Sequence, residues 1–223
     1  MYKLSPSDFA YLYEECKHCY YLKVRMKVTR PSMPFPGVFG AINTRLQGNM
    51  VGKNLRELSP SLPDGIVESQ EGFVESVPFP GTQVFVKGKY DLLVRLMDGT
   101  YMIVDLKLST PSEEKAAKYR SQLWSYVYAF EHPASGEAKQ ISRAGLLIFY
   151  PDAVSFAAGS ASLTFPPTWI EVPVDREAFG AFITSVSSLL EGPTPPENPN
   201  CDWCKYRHLG EALAHSQASD IPF

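Results

Sequence analysis

The clearest pattern in the chain lies between Ile66 and Leu108, where VFVKGKYDLLVRLM and TYMIVDLKL, rich in β-branched and aromatic residues, flank the hairpin dipeptide Asp98-Gly99. This region predicts strands. Ahead of it, Ser5, Ser7 and Asp8 offer helix N-caps before FAYLYEECKHCYYL, where Phe9, Leu12, Tyr13 and Cys16 recur at helical spacing. Beyond Pro31, Pro34 and Pro36, GVFGAINTRLQGNMVGKNL predicts a second, glycine-containing helix. After the strands, residues 113–130 form a long helical pattern with Glu113 and Glu114 in its first turn, where the helix dipole favours acids. AGLLIFYP predicts a buried strand, TWIEVPV another, and residues 176–190 a helix. The proline-rich GPTPPENPN then leads into CDWCKYRHLGEALAH, a short final helix. Helix, strand meander, helix, strand is the order of one mixed α/β domain, expected to span residues 1–223 without internal repeats.

Composition narrows the class. With 44% hydrophobic and 20% charged residues in 223, the chain can build one ample core and does not read as disordered. No apolar run approaches the roughly 20 residues that span a bilayer, and the first residues lack a basic region followed by an apolar stretch. A cytoplasmic protein is expected. The net charge of −3 excludes a polyanion binder that works through its whole surface, so any nucleic-acid site must be local. Residues 17–30, KHCYYLKVRMKVTR, carry Lys17, Lys23, Arg25, Lys27 and Arg30 around Tyr20 and Tyr21, a combination that suits a single strand. The plainer reading is a solvated helix face followed by a strand.

The cysteines fall into two pairs, Cys16 with Cys19 and Cys201 with Cys204, each as CxxC. One CxxC aims two thiolates at one ion, and two of them complete a sulfur site for zinc or an iron-sulfur cluster. Such a centre would clasp the two ends of the chain together. Disulfides and free thiols are the alternatives, the former disfavoured in a reducing compartment.

A second constellation sits in the strands. Asp105 and Lys107 share one face because they are two apart, and Asp91 lies across the hairpin. Two converging carboxylates can hold Mg2+ or Mn2+, and the neighbouring Lys can steady a phosphate. A plain two-residue turn at Asp98-Gly99 would pair position 92 with 105 and turn Asp91 away, so convergence predicts a three-residue loop or a bulge. Polar residues on the wet face of a hairpin are the competing reading. On the following helix Gln122 and Tyr126 stand four apart, on the face of Tyr119 and Lys115.

In order and combination these residues resemble the RecB-like branch of the PD-(D/E)XK nuclease superfamily, and within it the exonucleases of CRISPR adaptation. LSPSDFAYLYEEC, GKYD (88–91), VDLK (104–107), QLWSY (122–126) and CDWCKYR (201–207) carry the resemblance. It implies a restriction-endonuclease-like mixed sheet flanked by helices and metal-dependent hydrolysis of DNA. It also implies a four-iron cluster held by cysteines from both ends. On that pattern Asp91 and Asp105 are metal ligands with the Leu106 carbonyl, Lys107 is the catalytic lysine, and Gln122 and Tyr126 are the QxxxY pair beside the DNA. Asn43 stands where many relatives place a metal-binding His, and the cysteines divide two and two rather than one and three, which leaves room for zinc. The expected function is an exonuclease on single-stranded or frayed DNA, with a helicase or integrase as a protein partner and no membrane. The rival expectations are an inactive nuclease-fold module that binds DNA or scaffolds, and a redox protein built on the CxxC pairs.

Overall fold

The computed structural model describes residues 1–31 and 36–215. A short strand, β1 (Tyr2–Leu4), is followed by α1 (Pro6–Asp8), which runs on as a π-helical segment, Phe9–Tyr13. The expected single first helix is broken at Cys16. Its extended backbone (φ −159°, ψ 104°) makes it the N-cap of a new helix, α2 (Lys17–Tyr21), which continues as a π-helical stretch over Leu22–Met26. No strand follows among the described residues; Lys27, at φ 61°, ends the helix. Helix α3 (Gly37–Gln47) is shorter than its pattern predicts, because Gly48 and Gly52 (φ +82°) turn the chain out of it.

The sheet region is built from β2 (Ile66–Gln70), β3 (Phe73–Glu75), β4 (Val84–Lys89), β5 (Leu92–Arg95) and β6 (Tyr101–Leu108). The run VFVKGKYDLLVRLM is two strands rather than one. β4 pairs with β1 and β3, while β5 pairs with β2 and β6, and the exchange of partners falls at Tyr90 and Asp91. There Tyr90 N–H donates to Gly72 O and Glu71 N–H donates to Asp91 O, so the backbone stays satisfied through the switch.

Helix α4 (Glu114–Glu131) crosses over to β7 (Ile141–Phe149), which lies parallel to β6; β8 (Ala153–Ala157), β9 (Ser160–Thr164), β10 (Pro167–Glu171), α5 (Arg176–Glu191) and α6 (Asp202–His215) complete the chain. The central sheet runs β10-β7-β6-β5-β2, a second runs β1-β4-β3, and β8 with β9 forms an exposed hairpin that periodicity does not predict.

The period-2 alternation of β6 sorts its side chains between two cores. Met102, Val104 and Leu106 pack with Met50, Leu55, Leu62 and Leu147 on one face. Ile103 packs with Leu123, Tyr126, Val127 and Ile148 on the other, beneath α4. A third core joins the N-terminal helices to α5 through Phe179, Ile183, Val186 and Leu190, one stripe at helical spacing. Each such side chain contributes about 1.5–3 kcal/mol on full burial, so α5 is held by this stripe rather than by intrinsic propensity.

Candidate active site

The geometry of the site begins with a loop length. Strands β5 and β6 pair Leu92 with Val104 and Arg95 with Tyr101. Leu96 N–H donates to Thr100 O at 2.9 Å, which leaves Met97, Asp98 and Gly99 as a three-residue loop. Gly99, at φ +84°, takes the left-handed position that such a loop requires. This register, carried one residue beyond the pairing, sets Asp91 opposite Asp105. Asp91, Asp105 and Lys107 therefore share the face of Leu93 and Ile103, the one covered by α4.

There they meet α4. Lys107 Nζ lies 2.6 Å from Asp105 Oδ2, and Gln122 Nε2 donates to Asp105 Oδ1 at 2.7 Å. Leu106 N–H donates to Asp91 Oδ2 at 2.7 Å, and Tyr126 O–H donates to Lys89 O at 2.6 Å. The alternation of β6 turns the Leu106 side chain into the opposite core, so Leu106 offers the site its main chain. Gly88 permits this packing: a Cβ there would stand 2.7 Å from Pro6 Cδ and 3.3 Å from Tyr126 Cε1.

These residues, Pro6 excepted, line one polar cavity of about 380 Å³, together with Asn43, Gln47, Ser5 and Ser7. Burial, and then the neighbouring Asp105, pushes the Asp91 carboxyl up to about 7. Burial likewise raises Asp105, against the pull of Lys107 and Gln122. Burial works against the charge of Lys107, but Asp105 and Asp91 outweigh it and hold the ammonium above its ordinary range. Gln122 Oε1 and Gln47 Oε1 are buried without a hydrogen-bond partner. Two crowded carboxylates beside unpartnered amide oxygens form a donor set that fits a hard divalent cation, which prefers oxygen ligands and would relieve the mutual repulsion.

Asn43 lines the same cavity, and its Oδ1 accepts from Gln47 Nε2 at 3.2 Å. Gln47 was not singled out from the sequence. The signal was available, since it stands one turn beyond Asn43 on the same helix face. Tyr119 and Lys115, the other members of the predicted α4 face, part company. Tyr119 carries Lys107 Nζ 4.6 Å over its ring, whereas Lys115 turns outward to Thr110 O. Tyr119 also hydrogen-bonds the half-exposed Tyr11, whose ring lies 4.6 Å from Lys118 Nζ. Buried Tyr119 thus links Lys107 to an exposed pair, Tyr11 and Lys118.

The basic stretch over residues 17–30 is not such a platform. Tyr20 and Tyr21 are buried, Lys23 is paired with Asp8 at 2.6 Å, and Arg30 with Glu15 at 2.6 Å. Its rings belong to the third core, which needs them more than a surface does.

Within that core Cys16, Cys19, Cys201 and Cys204 converge, buried, with all four Sγ atoms within 4.8 Å of one another. His18 Nδ1 contacts Pro195 O at 2.7 Å, and Asn198 Nδ2 donates to Glu15 O at 2.7 Å, so the two chain ends are tied around the sulfurs as well as through them. A metal ion can join the termini there.

A model of the PD-(D/E)XK nuclease superfamily matches residues 44–209, and the chain belongs to that superfamily. The match takes in Asp91, Asp105, Lys107, Gln122 and Tyr126. Among solved structures the chain is similar to SSO0001 (TM-score 0.52, 14% identity, covering 99% of this chain and 87% of that one). It is also similar to an alkaline exonuclease, LHK-Exo, from Laribacter hongkongensis (TM-score 0.46, 11% identity, covering 95% of this chain and 93% of that one). No curated protein sequence matches the chain. Among the described residues no helix is long and apolar enough to cross a membrane.

Proposed function

We propose that the chain is a divalent-metal-dependent deoxyribonuclease, acting as one unit over its whole length and trimming single-stranded or frayed DNA ends. The observation that carries this reading is the convergence of Asp91, Asp105, Lys107 and Gln122 on one polar cavity inside a nuclease superfamily member. Asp91 and Asp105, with the Leu106 main chain and Asn43, would hold Mg2+ or Mn2+. The cation supplies charge neutralisation for the phosphate and lowers the cost of making hydroxide at neutral pH.

The chain's own groups do the rest. Lys107 places an ammonium where charge develops on the phosphate, and it stays protonated because two carboxylates face it. Gln122 fixes the rotation of Asp105 by holding Oδ1. Tyr126 anchors the backbone at Lys89, two residues before Asp91, so that the carboxylate is presented without slack. The exposed Tyr11 ring, backed by the buried Tyr119, and Lys118 support a single-stranded substrate, because an exposed ring can stack on a base of any identity while the ammonium tracks the phosphate.

Incubation with end-labelled single-stranded and duplex DNA, with Mg2+ or Mn2+, tests the reading. Metal-dependent loss of terminal nucleotides that disappears in Asp105→Ala is expected. No cleavage by the wild type, or equal cleavage by the variant, overturns it and leaves a DNA-binding module without catalysis, the outcome that Asn43 in the family's His position would then explain.

A further inference from the structure

We propose that the four-cysteine centre is a closed, mononuclear zinc site, and that a four-iron cluster, which the superfamily resemblance implies, does not fit it. The spacing of the sulfurs carries this assignment. Cys16 Sγ lies 3.8 Å from Cys204 Sγ, and Cys19 Sγ lies 3.7 Å from both Cys201 Sγ and Cys204 Sγ. Zinc–sulfur bonds of about 2.3 Å at tetrahedral angles put neighbouring sulfurs about 3.8 Å apart. In a four-iron cluster each thiolate binds a different iron and points outward from a corner of the cube. The four sulfurs then stand much farther apart than the 4.8 Å limit observed here.

The surroundings agree with a closed single-ion site. Cys16 is the N-cap of α2, where its Sγ accepts from Cys19 N–H at 3.4 Å, and Cys201 immediately precedes α6. Each CxxC is thus a tight turn that brings its two sulfurs to one point. Zinc with four thiolates carries a net charge of about −2, which calls for cations beside the sulfurs. Arg30 Nη2 donates to Cys201 Sγ at 3.2 Å, and Arg207 Nη2 to Cys204 Sγ at 3.5 Å. Four buried sulfurs fill the tetrahedron and leave no open position for water or substrate, so the site is structural. It locks α2 to α6 and takes no part in hydrolysis.

The test reads metal directly. The full chain is produced in medium containing both iron and zinc, purified without oxygen, and assayed for zinc, iron, sulfide and visible absorption. About one zinc per chain in a colourless protein is expected. About four iron with sulfide, and absorption near ~400 nm, would overturn the proposal, as would a metal-free protein with freely titrating thiols. Cys19→Ser and Cys204→Ser should lose the zinc. Should they fail to fold, Co2+ exchanged into the wild type still decides, because tetrahedral thiolate ligation gives it intense visible bands that oxygen ligation does not. Absence of those bands from the exchanged protein would contradict it.

Discussion

Gln122 and Asp105 meet across the boundary of α4 and β6 through a 2.7 Å hydrogen bond from Nε2 to Oδ1. The bond fixes which oxygen of Asp105 faces Lys107 and the cavity. Partners of this kind, one step removed from a metal, typically cost 10–100-fold in affinity or activity when lost. Gln122→Ala is therefore expected to lower kcat by roughly 10–100-fold and to raise the Mn2+ concentration needed for half-maximal rate. A metal titration of the steady-state rate checks this; an unchanged midpoint would assign Gln122 to packing alone.

On the proposed function Lys107 acts through its charge. Lys107→Met keeps the aliphatic stem and removes the ammonium, so the rate should fall by about 10²–10³-fold, the usual loss for one group that stabilises developing charge. Mn2+ binding, followed by calorimetry, should survive and tighten, since a competing cation leaves Asp105. Weaker binding would contradict the assigned role.

The carboxylate pair costs the fold something. Asp91 is buried beside Asp105, and both effects, burial first, disfavour its charge. Asp91→Asn keeps an oxygen to accept from Leu106 N–H but drops the charge. In the presence of EDTA near neutral pH it is expected to raise Tm by about 2–4 °C, the shift that ~1 kcal/mol produces in a chain of this size, while abolishing cleavage. A lowered Tm would mean that the Leu106 hydrogen bond outweighs the repulsion.

The loop Met97-Asp98-Gly99 sets the parity of the hairpin. Asp98→Asn installs Asn-Gly, the strongest two-residue turn signal, which favours pairing 97 with 100 and a one-residue slip that turns Asp91 away from Asp105. Cleavage should fall to the level of Asp105→Ala, with the helical signal of the far-UV spectrum retained. Retained activity would mean that the sheet, and not the turn, dictates the pairing.

Tyr11→Ala should weaken single-strand binding about tenfold with little change in kcat at saturation, as expected for one lost stacking contact. Lys118→Ala should instead reduce the salt dependence of binding by about 0.7 in log–log slope, one single-strand phosphate contact. Fluorescence anisotropy in an Asp105→Ala background separates the two. Equal behaviour on duplex and single-stranded DNA would speak against a single-strand track.

Much of this site was legible in the residues themselves. The spacing of Asp105 and Lys107 placed them on one face, and the requirement that Asp91 join them demanded a three-residue loop or a bulge, of which the structure has the loop. The change of sheet at Tyr90 was not legible, because a strand that swaps partners keeps its alternation. Nor was the break at Cys16, where the apolar spacing runs on unbroken while the backbone turns to seat a sulfur. The β8–β9 hairpin escaped for the opposite reason: every one of its residues is exposed, so no buried face imprints a period on it. Tyr20 and Tyr21 looked like a surface because their charged neighbours are one, yet long cationic side chains routinely roof aromatic cores.

The clasp between Cys16 and Cys204, 188 positions apart, has a mechanical meaning. With an ion at that junction, β5, β6 and α4 lie inside a closed ring of polypeptide. A pull applied at the two tails is carried by metal–sulfur bonds instead of being transmitted to the strands that align Asp91 with Asp105.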